Sequence, residues 1–87
     1  MKVHVRLFAN LRERVPGDPR EHRGRTSIDL KEGATLQNLL DHFDISRKLS
    51  QMVLINGQQA SREPAERTRL ALHDGDTVAV FPPLAGG

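Results

Sequence analysis

Residues 35–43 decide how this chain folds, and they read Thr35-Leu36-Gln37-Asn38-Leu39-Leu40-Asp41-His42-Phe43. The four large apolar residues of this stretch recur at i, i+3, i+4 and i+7, which predicts an amphipathic helix with one apolar stripe. Thr35 is the predicted N-cap, because its hydroxyl can accept a hydrogen bond from a free N–H of the first turn. The stripe needs an apolar surface to cover, and the rest of the chain must provide one.

Strand patterns on both sides of this helix predict that surface. Residues 2–8 alternate between apolar and polar side chains, and residues 26–31 alternate again, so the two segments can pair as a hairpin. After the helix, residues 52–55 form a continuous apolar run that is long enough for a strand and too short for a helix. Residues 77–81 predict the last strand, which Pro82-Pro83 ends because proline has no N–H to donate.

The connecting segments are less regular. Asn56-Gly57 directly follows the apolar run and predicts a tight hairpin with a short return strand over residues 58–60. Residues 10–15 predict one helical turn, and residues 16–25 a mobile, polar loop. Residues 61–69 are polar, and Pro64 argues against a central strand there.

The order of elements is therefore β–β–α–β–(β)–β, with a single main helix. One helix laid across a mixed sheet of four to five strands buries both apolar surfaces economically. The predicted fold class is α+β, and the arrangement is the β-grasp, or ubiquitin-like, fold. Residues 1–87 are expected to form one domain with a flexible C-terminal tail at 82–87.

Composition narrows the function classes. The chain has 87 residues, no Cys and a net charge of +2, and no apolar run approaches the length of a membrane helix. We therefore expect a soluble cytoplasmic protein without a disulfide, a thiolate metal site or a membrane partner. The four His residues lack metal-ligand spacing, so no metal site is predicted. Basic residues outnumber acidic ones seven to three in residues 1–25, but the three Phe, without Tyr or Trp, do not favour nucleic-acid binding.

The C-terminal residues carry the most specific chemical signal. Gly86-Gly87 follows the last strand and the Pro82-Pro83 pair, and a glycine pair without Cβ atoms can be drawn through a narrow channel. The reactive group offered there is the terminal carboxylate of Gly87. No pair of titratable groups elsewhere has the spacing of a catalytic site, so we expect the protein not to be catalytic alone.

The ending resembles the sulfur-carrier family that includes the molybdopterin-synthase small subunit (MoaD) and the thiamine sulfur carrier (ThiS). The Phe-Pro-Pro-x-x-Gly-Gly form of residues 81–87 is more similar to the MoaD branch. The opening Val3-x-Val5-x-Leu7-Phe8-Ala9, the helix entry Gly33-Ala34-Thr35-Leu36 and the run Val53-Leu54-Ile55-Asn56-Gly57 agree with the family. The resemblance covers most of the chain, apart from residues 15–25 and 61–69.

The resemblance implies a mechanism in which other proteins act on the chain's end. A ubiquitin-activating-type adenylating enzyme uses ATP to activate Gly87, and a persulfide source then converts it to a thiocarboxylate. No cofactor is bound by the carrier itself. The thiocarboxylate donates its sulfur when Leu84, Ala85, Gly86 and Gly87 thread into an acceptor enzyme. In the MoaD branch the acceptor is the large subunit of molybdopterin synthase, so this chain is expected to be the sulfur-donating half of a two-subunit sulfurtransferase.

Docking to such partners needs an apolar surface near the tail. Phe81, Pro82 and Pro83 are the nearest candidates, and Phe8 is expected to adjoin them across the sheet. The sequence also leaves alternatives open. The chain could be a ubiquitin-like modifier conjugated through Gly87, or it could supply sulfur for the tungsten cofactor, thiamine, cysteine or tRNA thiolation.

Overall fold

A five-stranded mixed sheet forms one layer of the molecule, and the computed structural model describes residues 1–83. The strands are β1 (Lys2–Leu7), β2 (Arg25–Asp29), β3 (Met52–Ile55), β4 (Gln58–Gln59) and β5 (Thr77–Phe81). They lie in the order β2-β1-β5-β3-β4. The central β5 is parallel to β1 and antiparallel to β3, and the two hairpins are antiparallel.

The helices are short, and the main one is the helix that the sequence predicts. They are a 3-10 helix (Ala9–Arg14), α1 (Pro19–His22), α2 (Leu36–His42) and α3 (Pro64–Arg69). A capping box begins α2: Thr35 Oγ1 accepts from the Asn38 N–H at 3.3 Å, and Asn38 Oδ1 accepts from the Thr35 N–H at 2.8 Å. The predicted N-cap is confirmed.

The core lies between α2 and one face of the sheet. Alternation puts Val3, Val5 and Leu7 of β1 on the buried face, and the neighbouring strands follow the same register. The buried apolar residues in the described part of the chain come from both layers. They are Val3, Val5, Leu7, Leu11, Val15, Leu36, Leu39, Leu40, Phe43, Ile45, Val53, Leu72, Val78 and Val80. The β-grasp prediction is confirmed, including the helix stripe, the Asn56-Gly57 hairpin and the last strand.

Two segments differ from the sequence-based expectation. Residues 16–25, expected to be a loop throughout, contain the one-turn helix α1, which Asp18 caps by accepting the Arg20 N–H at 2.9 Å. Residues 61–69, read only as polar and not as a central strand, contain α3. Pro64 stands in its first turn, where a missing N–H is tolerated.

A buried arginine attaches α3 to the rest of the fold. The Arg67 side chain is 1% exposed. Its guanidinium donates to Ser61 O at 2.9 Å, to Ser50 Oγ at 2.7 Å and to Ser50 O at 3.2 Å. Burial, together with the charges of Arg62 and Arg47, lowers the pKa of Arg67 below its usual value. Polar atoms therefore hold α3 in place, which explains why apolar periodicity did not predict it.

Gly24 fixes the end of β1. Its carbonyl accepts the Leu7 N–H at 2.7 Å, and a Cβ at this position would lie 2.0 Å from the Leu7 carbonyl oxygen. Its φ of +77° is also one that other residues rarely adopt. Only glycine allows this close approach, which sets the direction of the chain just before Phe8.

Candidate docking surface at the end of the last strand

Two of the predicted partner-binding residues are in direct contact. The rings of Phe8 and Phe81 stack with centroids 4.2 Å apart and planes 11° apart. Both residues are half-buried rather than part of the core. A stacked aromatic pair of this kind is held by dispersion and by the hydrophobic effect.

Strand register brings the two rings together. The parallel pairing of β1 with β5 places Leu7 beside Val80, and the Phe8 N–H continues the ladder to Val80 O at 3.2 Å. Because side chains alternate along a strand, the residue after each buried partner points to the opposite face of the sheet. Phe8 and Phe81 therefore meet on the face that α2 does not cover. Ala9, at a φ of 53°, then turns the chain into the 3-10 helix.

The stacked rings form part of an apolar groove, which we call the aromatic groove. Its volume is about 580 Å³, and its lining residues come from three separate segments. They are Phe8, Ala9, Asn10, Gln51, Met52, Phe81, Pro82 and Pro83. Met52 lies directly opposite Phe81 in the antiparallel register of β3 with β5. The groove thus joins residues that are distant in sequence into one continuous surface.

Sequence reasoning identified half of this lining and missed the other half. In β3, Val53 is buried while Met52 and Leu54 are half-buried. No sequence signal marked Met52 as a groove residue, because residues 52–55 are all apolar and show no period of two. Ala9, Asn10 and Gln51 gave no signal, since they line the groove only through the turns that follow Phe8 and precede β3.

The two prolines leave the sheet at this groove. Pro82-Pro83 ends β5, as the sequence predicts, and β5 is the middle strand of five. The prolines therefore end a central strand, with Pro82 half-buried and Pro83 exposed. The remaining predicted site residues, Leu84, Ala85, Gly86 and Gly87, lie outside the described residues, as does most of the predicted tail.

A cation adjoins the aromatic pair. The Arg6 guanidinium carbon lies 5.4 Å from the centroid of the Phe8 ring, within the range of a cation–π contact. Other arginines of the basic N-terminal third have structural partners. Arg12 Nε donates to Ala9 O at 3.1 Å, and Arg14 donates to the carbonyl oxygens of Phe43 and Asp44 at the end of α2.

Asp76 has a structural role at the start of β5. Desolvation raises the pKa of Asp76, but hydrogen bonds from Asn56 and the His73 N–H outweigh it and leave the pKa below its usual value. Asn56 of the β3–β4 turn donates to this carboxylate and accepts from the Thr77 N–H, which ties the turn to the start of β5. Within the described residues no three His, Cys, Asp or Glu side chains are placed to hold a metal ion, and no helix is long and apolar enough to cross a membrane.

Comparison with known proteins assigns the chain to a protein family. The profile of the ThiS family matches residues 5–87. The chain belongs to the ThiS family. Among characterised relatives, the Drosophila simulans molybdopterin synthase sulfur carrier subunit is 30% identical over 91 residues, covering 100% of this chain and 92% of the relative. The Haloferax volcanii small archaeal modifier protein 3 is 33% identical over 96 residues, with full coverage of both chains.

Solved structures agree with this assignment. The crystal structure of small archaeal modifier protein 1 (SAMP1) from Haloferax volcanii superposes with a TM-score of 0.68 at 26% identity and covers 100% of both chains. This ThiS-family chain therefore has the ubiquitin-like β-grasp fold of its relatives, which confirms the resemblance read from the sequence.

Proposed function

We propose that this ThiS-family protein is a sulfur carrier, and that it serves as the small subunit of a molybdopterin synthase. The observation that carries the proposal is the aromatic groove. A central strand ends on Pro82-Pro83 beside the stacked Phe8 and Phe81, so a partner that binds there also receives the C-terminal residues. Sequence similarity to a sulfur carrier subunit over the full chain supports the same function.

The proposed chemistry requires only the terminal carboxylate of this chain. A carboxylate oxygen of Gly87 attacks the α-phosphorus of ATP on the adenylating enzyme, pyrophosphate leaves, and an acyl adenylate forms. The terminal sulfur of a persulfide then attacks the acyl carbon and AMP leaves, which gives an acyl disulfide. A second thiol cleaves its S–S bond, so that a disulfide and the thiocarboxylate are the products. The sulfur is soft and nucleophilic, and the acceptor enzyme uses it to build a C–S bond.

The groove suits docking better than catalysis. Its lining is mostly aromatic, aliphatic and proline side chains, together with the amides of Asn10 and Gln51. Large apolar side chains near the centre of an interface contribute most of its binding energy, and proline reduces the entropy that is lost when a neighbouring segment becomes ordered. The chain is thus built to be held by a partner that supplies the reactive groups.

The acceptor is tested by single-turnover transfer. The protein is prepared semi-synthetically as the Gly87 thiocarboxylate and is mixed with the molybdopterin synthase large subunit of the same organism and the pterin precursor. We expect the carrier to return to the carboxylate mass as the dithiolene product appears. Transfer only to thiamine, cysteine or tRNA thiolation enzymes would refute the molybdopterin assignment.

A second function has one specific observation in its favour. The relative with the higher identity, at 33%, is named a small archaeal modifier protein. A modifier would share the activation step, but a lysine amine rather than a persulfide would attack the acyl adenylate, and an isopeptide bond would form. Mass spectrometry of tryptic digests from cells that express a tagged chain tests this alternative, because a modifier leaves its C-terminal residues on target lysines.

A further inference from the structure

Two arginines face each other on the exposed side of the sheet. Arg6 of β1 and Arg25 of β2 are direct partners in the antiparallel register, and both side chains are exposed. Like charges that lie directly opposite each other destabilise a strand pair. Among residues 1–83, neither guanidinium has a carboxylate within ion-pair distance. The free protein therefore keeps an electrostatic repulsion that its own described residues do not relieve.

The surroundings of this pair are rich in hydrogen-bond donors. His4 Nδ1 lies 2.9 Å from Ser27 Oγ on the adjacent cross-strand pair, and Thr77 of β5 lies beside His4. We call Arg6, Arg25, His4, Ser27 and Thr77 the arginine patch. The depression that they line also includes Val5 and Thr26, and it contains no acidic side chain. It is open and shallow, so it fits a surface segment of another molecule better than an enclosed metabolite.

The arginine patch and the aromatic groove are continuous. Arg6 lies over the Phe8 ring at 5.4 Å, and that ring stacks on Phe81 at 4.2 Å. One partner segment can therefore contact both surfaces. Such a segment would place an apolar side chain against the rings and its carboxylates against the two guanidinium groups, where bidentate charge-assisted hydrogen bonds form.

We propose that the arginine patch docks an acidic segment of the partner protein that receives the C-terminus, with carboxylates on Arg6 and Arg25 and a neighbouring apolar side chain in the aromatic groove. The inference rests on the proposed function for the identity of that partner. The partner segment is then expected to carry negative charge, and its binding should relieve the repulsion between Arg6 and Arg25. The affinity for the partner should fall as the salt concentration rises.

The free protein provides the first test, which needs no partner. Arg25→Gln should raise the midpoint of urea unfolding, because it removes one of two opposed like charges. Lys48→Gln is the matched control, since Lys48 is exposed in the turn before β3, and its midpoint should not change. An unchanged or lower midpoint for Arg25→Gln would overturn the claim that the pair is strained.

The second test uses hexaglutamate as a chemically defined probe. Side-chain Nε–H signals of Arg6 and Arg25 should move at lower peptide concentrations than the signal of Arg20, which is paired with Asp18 at 3.2 Å. Equal movement of all three signals would mean attraction by net charge only, and it would overturn the assignment of a docking patch.

The third test measures partner binding by calorimetry at two salt concentrations. The adenylating enzyme and the molybdopterin synthase large subunit are titrated with the wild type, Arg6→Gln/Arg25→Gln and Lys48→Gln. At low salt the double variant should bind at least one of them about ten-fold more weakly, with the difference shrinking at high salt, while the control stays within about two-fold.

The outcomes separate the patch from the proposed function. Thiocarboxylate formation with equal Kd values for wild type and double variant would overturn the patch alone. If the double variant binds a partner enzyme more weakly than the wild type but no thiocarboxylate forms, the carrier function is refuted and the docking role of the arginine patch stands. Binding of a single-stranded RNA oligonucleotide that is lost in the double variant, with unchanged affinity for both enzymes, would assign the patch to RNA and overturn the proposal.

Discussion

Single residues determine where the aromatic groove lies, and Gly24 is the clearest example. Its backbone touches the end of β1, directly before Phe8, and leaves no space for a side chain. Gly24→Ala should destabilise the fold by about 3 kcal/mol or more, because the overpacking cost adds to the cost of a left-handed backbone. Gly33 has a similar φ of +87° but open surroundings, so Gly33→Ala should cost only about 1 kcal/mol. If Gly24→Ala and Gly33→Ala lower the free energy of urea unfolding equally, the close approach of Gly24 to the Leu7 carbonyl is contradicted.

Asp76 gives the fold a pH dependence. Its side chain is 14% exposed, and its hydrogen bonds hold the pKa below the usual value despite desolvation. A carboxyl group with a lowered pKa stabilises the folded state above its unfolded pKa, and this contribution is lost as the pH falls through the folded pKa. Asp76→Asn should therefore be less stable than the wild type at neutral pH, and the difference should disappear in acid. A constant difference across a pH series of urea unfolding would contradict this.

Phe81 is the predicted centre of docking. Phe81→Ala should weaken binding to the adenylating enzyme or the acceptor more than Arg12→Ala, because Phe81 has an apolar ring in the groove and Arg12 is bonded to its own turn. The comparison needs calorimetry on variants with wild-type circular dichroism. A larger effect of Arg12→Ala that fades with salt would mean that the basic N-terminal third, and not the groove, binds the partner.

Among the secondary-structure elements, α2 buries the apolar face of the sheet. Leu40 is fully buried against the strands, so Leu40→Ala should cost about 2–5 kcal/mol through lost transfer free energy and the cavity left behind. Asp41 on the exposed side of the same helix is the control, and Asp41→Ala should stay within about 0.5 kcal/mol. A loss below about 1 kcal/mol for Leu40→Ala would mean that the helix stripe does not face the core.

Elements with a periodic apolar pattern could be predicted from the sequence, and those held by polar contacts could not. The strand alternation of residues 2–8, the α2 stripe and the Asn56-Gly57 turn are local signals, and the structure confirms each of them. α3 has no apolar stripe, because its one buried side chain is Arg67, which is satisfied by Ser50 and Ser61 from other segments. Such partners are known only once the chain has folded.

At the scale of the whole molecule, the same distinction applies to the candidate site. Phe81 and the two prolines were found because they directly precede the C-terminal residues, and Phe8 was found because it was expected to adjoin them across the sheet. The opposed Arg6 and Arg25 were not found, since the register of β1 with β2 depends on a hairpin whose connection contains α1 and the tight approach at Gly24. The fold places the groove and the arginine patch on the sheet face opposite the one that packs against α2.

Activation of the chain at Gly87 by partner proteins changes its mass, which intact-mass spectrometry can detect. The protein is incubated with ATP, the adenylating enzyme of the same organism, a persulfide donor and a thiol reductant. We expect a mass gain equal to the difference between sulfur and oxygen, and no gain for a variant with one residue added after Gly87. An unchanged wild-type mass, or the same gain in the extended variant, would show that the chain is not activated at Gly87.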